Sequence, residues 1–461
     1  MRIRARNLLW GLLRNLLSVA VVAVITLTAP RGLAKAPEVV LQGFHWESYT
    51  YQEGGKPDGW YRILTSQADD FKSIGITTVW LPPPSASFVG DASKGWPHSR
   101  GYLPTEYYQL NTNYGTEEEL RQLIRELEAR GIRPIADIVL NHRHATGWSV
   151  TNGKSCQNLF FNPNWGPEVI TKNDLSGCGT SPNYDTGRDN ITFLDLDHLN
   201  QTVQNDLISW LKWLRWDVGF RGWRYDQVHG YGGNFVGIYN HESSPELSVG
   251  ELWDGLDYGC SEGLCYNQDR HRQSIVNWID STWKHASLPP EDAAMAFDFT
   301  MRGILREAIL NQEFWRLSDI QGRPPGVAGV WPAKAMSFIE NHDTGSTQRL
   351  WPFSDEPAKI IQGYVYILTH PGVPSIFYDH LYYWGQEMRQ QIIDVLKVRT
   401  RQMLHAQSSL RIERAERGLY VAYIDEKVVV KLGPVMWQPS GKVNLWNMTA
   451  FGKDYAIWER R

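Results

Sequence analysis

A chain of 461 residues, 42% of them hydrophobic, can bury a large core and is long enough for more than one domain, so it reads as a folded, globular protein. Its formal charge of -4, with Lys and Arg scattered rather than clustered, offers no electrostatic footprint for a phosphate backbone and argues against a nucleic-acid partner. The 21 Trp and 21 Tyr are many for this length, and flat rings suit the C–H faces of sugars as well as protein cores.

In chain order the first predicted element is a leader. Arg2, Arg4, Arg6 and Arg14 precede an apolar run from Leu16 to Ala29 that is short for a bilayer span. Residues 1–34 read as an export signal cut after Ala34, with small Gly32 two positions earlier, or as a membrane anchor if they stay uncut. The expected product is exported, either secreted or periplasmic, with no stable membrane association once the leader is gone. Four cysteines agree with an oxidising compartment, because Cys156 with Cys178 and Cys260 with Cys265 can pair locally. Neither a CxxC nor a Cys/His zinc spacing is present.

From residue 37 onward short β-branched runs alternate with amphipathic stretches, the pattern of a parallel sheet wrapped by helices. The predicted strands are Val39 to Phe44, Thr77 to Leu81, Pro134 to Leu140, Gly222 to Tyr225, Leu247 to Glu251, Met295 to Phe299, Ala335 to Glu340 and Ser375 to Tyr378. Between the second and third lies TEEELRQLIRELEARG, where Thr116 can cap a helix, Glu119 can reach back to it and Gly131 can end it. Its Leu120, Leu123, Ile124 and Leu127 share one apolar face. Similar segments follow other strands, so the expected fold class is α/β, a closed (β/α)8 TIM barrel over residues 37–141 and 201–404. In such barrels the chemistry sits at the C-terminal ends of the strands.

Two departures define further domains. Residues 142–200, rich in Asn, Asp, Gly and Pro, are too long for an ordinary connection and predict an inserted domain after strand three. Its fold is expected to depend partly on a bound ion or the Cys156/Cys178 bridge. Residues 405–461, with RGLYVAYIDEKVVVKLG and KDYAIWER, predict a C-terminal antiparallel β domain.

Three carboxylates stand at the far ends of predicted strands: Asp226 in GWRYD, Glu251 in SVGEL and Asp343 in FIENHD. A retaining glycoside hydrolase needs such a set, since one carboxylate attacks the anomeric carbon while a protonated one releases the leaving oxygen. Arg224, two residues before Asp226, points to the same side of the pleat and can hold that carboxylate ionised. Neighbouring carboxylates and Trp253 can raise the pKa of Glu251, so that it begins protonated. His142 and His342 also close apolar strands, where a neutral imidazole can bond sugar hydroxyls.

Four motifs carry a family resemblance: DIVLNHR (137–143), GWRYDQVHGY (222–231), GELW (250–253) and FIENHDTGSTQ (338–348) resemble, in order and spacing, the signature regions of the α-amylases. The resemblance runs along nearly all of the chain after residue 38 and is nearest to the plant-type enzymes. It implies Asp226 as nucleophile, Glu251 as general acid and base, and Asp343 as the carboxylate that supports the oxocarbenium-like transition state. It also implies Tyr102 as the ring under the sugar at the cleaved bond, with His142, Arg224, His229, Trp253 and His342 as further substrate contacts. A structural Ca2+ is implied at the side chains of Asn141, Asp185 and Asp195 and the backbone oxygens of Arg188 and Gly230; calcium favours such hard oxygens.

Departures from the plant-type pattern bear on substrate more than on chemistry. His229 stands where a lysine is usual, and Val330 precedes Trp331 where paired tryptophans bind starch granules. Met436 lies near the position of a second surface tyrosine, beside Trp437. Asn164 and Asn173 replace carboxylates of further calcium sites, although Asp189 is kept. The implied protein is an exported, calcium-stabilised, endo-acting α-amylase that cleaves internal α-1,4 bonds of starch, glycogen and maltodextrins with retention, and it is expected to be a monomer whose partner is the glucan. The runner-up is a maltodextrin-specific hydrolase or glucan transferase of the same family. A non-catalytic glucan-binding protein is disfavoured by the presence of all three carboxylates.

Overall fold

In the computed structural model all eight predicted runs form strands: β1 (Val40–Gln42), β2 (Thr78–Leu81), β3 (Arg133–Ile138), β4 (Gly222–Tyr225), β5 (Leu247–Gly250), β6 (Met295–Phe297), β7 (Ala335–Phe338) and β8 (Val373–Phe377). Each pairs in parallel with two neighbours, and the order β1-β8-β7-β6-β5-β4-β3-β2 closes into a barrel. Every residue of β2, β4, β5, β7 and β8 is buried, because helices cover the outer face and side chains fill the inner one. A proline inside a run argues for a later strand start. Yet β8 begins two residues before the expected Ser375, with Pro374 opposite Ser337 in the β7–β8 ladder. The structure describes residues 36–50, 59–89, 100–188, 193–260, 263–284, 288–345, 347–440 and 445–461. The leader and Asp189 therefore lie outside the described residues.

The helix between β2 and β3 runs Glu117–Ala129 and starts as its sequence predicts. Thr116 Oγ1 accepts the Glu119 N–H and Glu119 Oε2 accepts the Thr116 N–H, a reciprocal cap. Leu120, Leu123, Ile124 and Leu127 are its buried face. Gly131, at φ +69, takes the left-handed conformation that ends it.

Between β3 and the helix Gln201–Trp213 the chain leaves the barrel and returns. His142–Arg143 pairs antiparallel with Leu194–Asp195 at the neck, and Gly147–Thr151 forms a hairpin with Lys154–Leu159. The Cys156–Cys178 disulfide ties this hairpin to the loop that follows, and Cys260–Cys265 closes a short turn after β5. Past the barrel, β9 (Leu410–Glu416), β10 (Leu419–Ile424), β11 (Val428–Leu432), β12 (Trp446–Gly452) and β13 (Tyr455–Arg460) form one antiparallel sheet in the order β9-β10-β11-β13-β12. Alternation sorts its residues: Tyr420, Ala422, Ile424, Val428 and Val430 join the main core, while Leu419, Val421, Tyr423, Val429 and Trp458 form a small outer cluster. Among the described residues no helix is long and apolar enough to cross a membrane.

Candidate active site

Strand β4 lies between β3 and β5, and its Arg224 sits opposite Asp137 on one side and Val249 on the other. Asp226 is the first residue past β4, and its N–H donates to Ile138 O at 2.9 Å. Glu251 is the first past β5, with its N–H on Tyr225 O at 3.0 Å. Each carboxylate thus rides on a ladder that continues one step beyond its strand, which fixes the backbone beneath it. Asp343 stands in the loop after β7. There Asn341 Oδ1 accepts the N–H groups of Asp343 and Thr344 at 3.0 and 2.8 Å, and Thr344 Oγ1 donates to buried Glu340 Oε2 at 2.9 Å.

Arg224 is fully buried and gathers the acids. Its Nη1 donates to Asp226 Oδ1 at 2.7 Å and to Asp137 Oδ1 at 2.9 Å. Its Nη2 lies 2.6 Å from Glu251 Oε1, an ion contact without the direction of a hydrogen bond. Burial, reinforced by Asp226, Asp343 and Asp137, pushes the Glu251 carboxyl up to about 8 in spite of the opposing pull of Arg224. Burial likewise pushes Asp343 and Asp137 up to about 7, against the same guanidinium.

A chain of hydrogen bonds lines the other wall. Gln42 Nε2 donates to His342 Nδ1 at 2.8 Å, which leaves the ring proton on Nε2, facing Tyr102 Oη at 2.8 Å and Asp343 Oδ2 at 3.3 Å. Tyr102 Oη donates in turn to Asp137 Oδ2 at 2.9 Å, and Trp80 Nε1 donates to the same oxygen at 3.0 Å. Burial holds His342 well below the usual histidine range, so it stays neutral. The Tyr102 and His342 rings lie nearly parallel with centroids 5.2 Å apart, and Trp46 stacks against both at 6.1 and 5.9 Å.

The remaining expected sugar contacts are placed less directly. His142 Nε2 bonds Tyr102 O at 2.9 Å and its ring stacks on Phe193 at 5.0 Å, so it buttresses the Tyr102 backbone. His229 is half-buried with Nδ1 unbonded, and its carbonyl accepts the Arg188 N–H at 2.9 Å. Trp253 stacks on Phe299 at 5.3 Å and on Trp351 at 6.5 Å. The raised pKa of Glu251 traces to its burial and to three carboxylates.

Two of the residues expected to hold an ion are bonded to each other. Asn141 Nδ2 donates to Asp195 Oδ1 at 3.0 Å, which turns Asn141 Oδ1 toward Gly230; that oxygen is buried without a hydrogen bond. A Cβ on Gly230 would stand 1.8 Å from it, so no side chain is tolerated there. Arg188 reaches this point through its backbone bond to His229, and Gly187 N–H donates to Asp185 Oδ1 at 3.3 Å. Among the described residues no group of three His, Cys, Asp or Glu gathers; the expected ligands are two carboxylates, one amide and backbone carbonyls. Such an all-oxygen set suits calcium rather than a transition metal.

Sequence reasoning missed Asp137, Trp46 and Glu340 as members of the site. Asp137 stands inside a motif, DIVLNHR, but only the β3–β4 register shows that it faces Arg224. At the surface Val330 is exposed, Met436 is 91% exposed, and Trp437 packs edge-on against Trp458 at 5.8 Å.

Known proteins resemble this chain along most of its length. Residues 50–251 match the family described as Alpha amylase, catalytic domain, and residues 401–459 match the Alpha-amylase C-terminal beta-sheet domain. The chain is 41% identical over 429 residues to Probable alpha-amylase 2 of Arabidopsis thaliana, covering 92% of this chain and 94% of that protein. It is also 41% identical to Alpha-amylase 3, chloroplastic, of the same plant, where the match spans 93% of this chain and 45% of the longer relative. A Glucan 1,4-alpha-maltotetraohydrolase of Stutzerimonas stutzeri is 28% identical over 87% of this chain and 69% of its own. Among solved structures, an alpha-amylase from Malbranchea cinnamomea has a TM-score of 0.65 at 18% identity, over 87% of this chain and 85% of that one, a likeness of fold.

Proposed function

The chain belongs to the α-amylase family of glycoside hydrolases, and from that membership we propose that it hydrolyses internal α-1,4 bonds of starch, glycogen and maltodextrins with retention of anomeric configuration. Asp226 attacks the anomeric carbon to form a glycosyl ester while Glu251 gives its proton to the leaving oxygen. Glu251, now a base, then takes a proton from the water that opens the ester. Asp343 supports the oxocarbenium-like charge, and neutral His342 offers its Nε2–H to the same sugar. Tyr102 supplies the ring beneath that sugar, with His142 behind its backbone, while His229 and Trp253 bound the leaving side.

One observation carries this reading. Arg224 grips Asp226 through a directed 2.7 Å bond, while Glu251 sits beside the same guanidinium in a burial that favours its proton. Two carboxylates beside one guanidinium, one held by a directed bond and one whose burial favours its proton, are what a two-step displacement requires.

Ca2+ is assigned to Asn141, Asp185 and Asp195, with the backbone carbonyls of Arg188 and Gly230. The buried, unbonded Asn141 Oδ1 supports the assignment. The ion supplies no reacting group; when bound, it fastens the inserted segment to the barrel. Further ions are not assigned, because Asn164 and Asn173 stand where carboxylates are expected. With Val330 and Met436 in the granule-binding positions, adsorption to granular starch through that surface is expected to be weak. Export is supported by the Arg-led apolar start and by two closed disulfides, and N-terminal sequencing of the mature protein tests it.

The deciding experiment is a timed product ladder from amylose, with the anomeric form of new ends read by NMR. A spread of intermediate oligosaccharides as α-anomers is expected. Release of a single short product from chain ends, or products longer than the starting oligosaccharide, would shift the assignment to a maltodextrin hydrolase or a glucan transferase.

A further inference from the structure

A second cleft, of about 220 Å3, opens at the same end of the barrel and shares no residue with the three carboxylates described above. Its floor is the first turns of the helices Asp269–Lys284 and Phe299–Asn311, which follow β5 and β6, and its lip is the turn around residues 318–326. The loop that follows Glu251 is bonded to its floor. Buried His271 bridges that loop to the cleft, with Nε2 on Asp254 O at 3.0 Å and Nδ1 on Thr300 Oγ1 at 2.7 Å.

The charges in this cleft are matched in pairs. Arg272 meets Asp269 at 2.5 Å, Arg323 meets Asp319 at 2.8 Å, and buried Arg316 meets Glu313 at 2.7 Å. A bare anion would find each guanidinium already compensated. A neutral polyhydroxylated ligand would find fixed donors and acceptors in planar pairs, which suit vicinal hydroxyls. Tyr266 adds an apolar platform: it is 45% exposed, packs against Trp315 at 5.5 Å, and is held by its hydroxyl, which donates to Ser318 O at 2.9 Å. Ile320, 87% exposed, stands on the lip. The volume is below the roughly 300–1,000 Å3 of pockets that enclose a whole ligand, so it suits a short stretch of a longer chain.

We propose that this cleft is a second, non-catalytic binding site for a few units of an α-1,4-glucan chain, an inference that rests on the glucan reading of the active site. Holding one part of a polymer raises the local concentration of its bonds at the catalytic carboxylates. Short oligosaccharides cannot occupy both places at once and gain nothing.

The test uses the inactive Glu251→Gln protein and titrates it with maltoheptaose by calorimetry. Two classes of site are expected, one of which disappears in Glu251→Gln/Tyr266→Ala and persists in Glu251→Gln/Tyr266→Phe, which keeps the ring. In the active enzyme, Tyr266→Ala should raise KM for amylose roughly three- to tenfold, the loss of one aromatic platform, while the rate on a chromogenic maltotrioside is unchanged. Identical isotherms with and without the Tyr266 ring, or a single class of site in the parent, overturn the cleft proposal alone. A parent that binds no maltoheptaose overturns the glucan reading and this proposal with it.

Discussion

Glu251→Gln should cost the protein its activity and make it more stable, by an amount that depends on pH. The ordinary glutamate value is 4.5, and in the folded protein the carboxyl is pushed up to about 8. Between these values the folded state holds a proton that the unfolded chain has released, so stability falls as pH rises through the window. From 4.5 to pH 7 the cost of keeping Glu251 neutral and buried is at most about 3 kcal/mol. Glutamine has the same shape and bears none of this cost. Because Asp137 and Asp343 share the strain and relax when one acid is gone, the expected gain at pH 7 is about 1–3 kcal/mol. At pH 4.5 and below it vanishes. Activity moves the other way, since loss of the proton donor should lower the rate roughly 10²–10⁴-fold or more. Urea unfolding followed by tryptophan fluorescence at pH 5, 6, 7 and 8, beside initial rates on a chromogenic maltotrioside, measures both. A stability difference that stays flat with pH, or substantial remaining activity, would refute the assignment of Glu251 as a neutral, buried acid.

Other outcomes follow from the same geometry. In the wild-type enzyme kcat/KM should fall tenfold per unit of pH above about 8, where Glu251 loses its proton, and a pH–rate profile with the limb near the ordinary carboxylate value would contradict this. Arg224→Met leaves Asp137 and Asp226 buried without their cation; it should destabilise the fold by about 3–5 kcal/mol and abolish activity at pH 7, as judged by urea titration and starch hydrolysis. Chelation should lower the melting temperature, because an ion at about 100 times its Kd adds about 2.7 kcal/mol to the folded state. Calorimetry of verified calcium-free protein with an unchanged Tm would remove the metal assignment.

The barrel was legible because its strands are short and apolar, and because helix signals such as the Thr116–Glu119 cap are local chemistry that needs no partner. The three carboxylates were legible for a related reason: each follows an apolar run, and a barrel brings all strand ends to one face. What stayed hidden depends on contacts across the fold. Asp137 sits in the middle of an apolar strand, where alternation says only that it points inward, and its meaning comes from standing opposite Arg224. His142 reads as a sugar ligand, yet its Nε2 bonds the Tyr102 carbonyl. Trp253 reads as the neighbour that raises the Glu251 pKa, yet its ring stacks on Phe299, and the carboxylates of Asp226, Asp343 and Asp137 add to burial instead.

Those carboxylates lie around one guanidinium, and burial as well as charge divides the labour among them. Asp137, Asp226, Glu251 and Asp343 share one buried cation, and two unit charges about 4 Å apart still interact by about 4 kcal/mol near a protein surface. One guanidinium cannot satisfy four anions in a dry interior, so protons must remain on some of them at neutral pH. Burial comes first in setting which acids keep their protons: Glu251, Asp343 and Asp137 are all pushed up, Asp137 in spite of its direct bond to Arg224. Arg224 Nη1 is aimed at Asp226 and Asp137, whereas Nη2 only lies beside Glu251, and Asp343 receives its nearest support from a neutral histidine. The buried Trp80 ring, its centroid 5.0 Å from the guanidinium carbon, and the Asp137 bond hold Arg224 in this orientation.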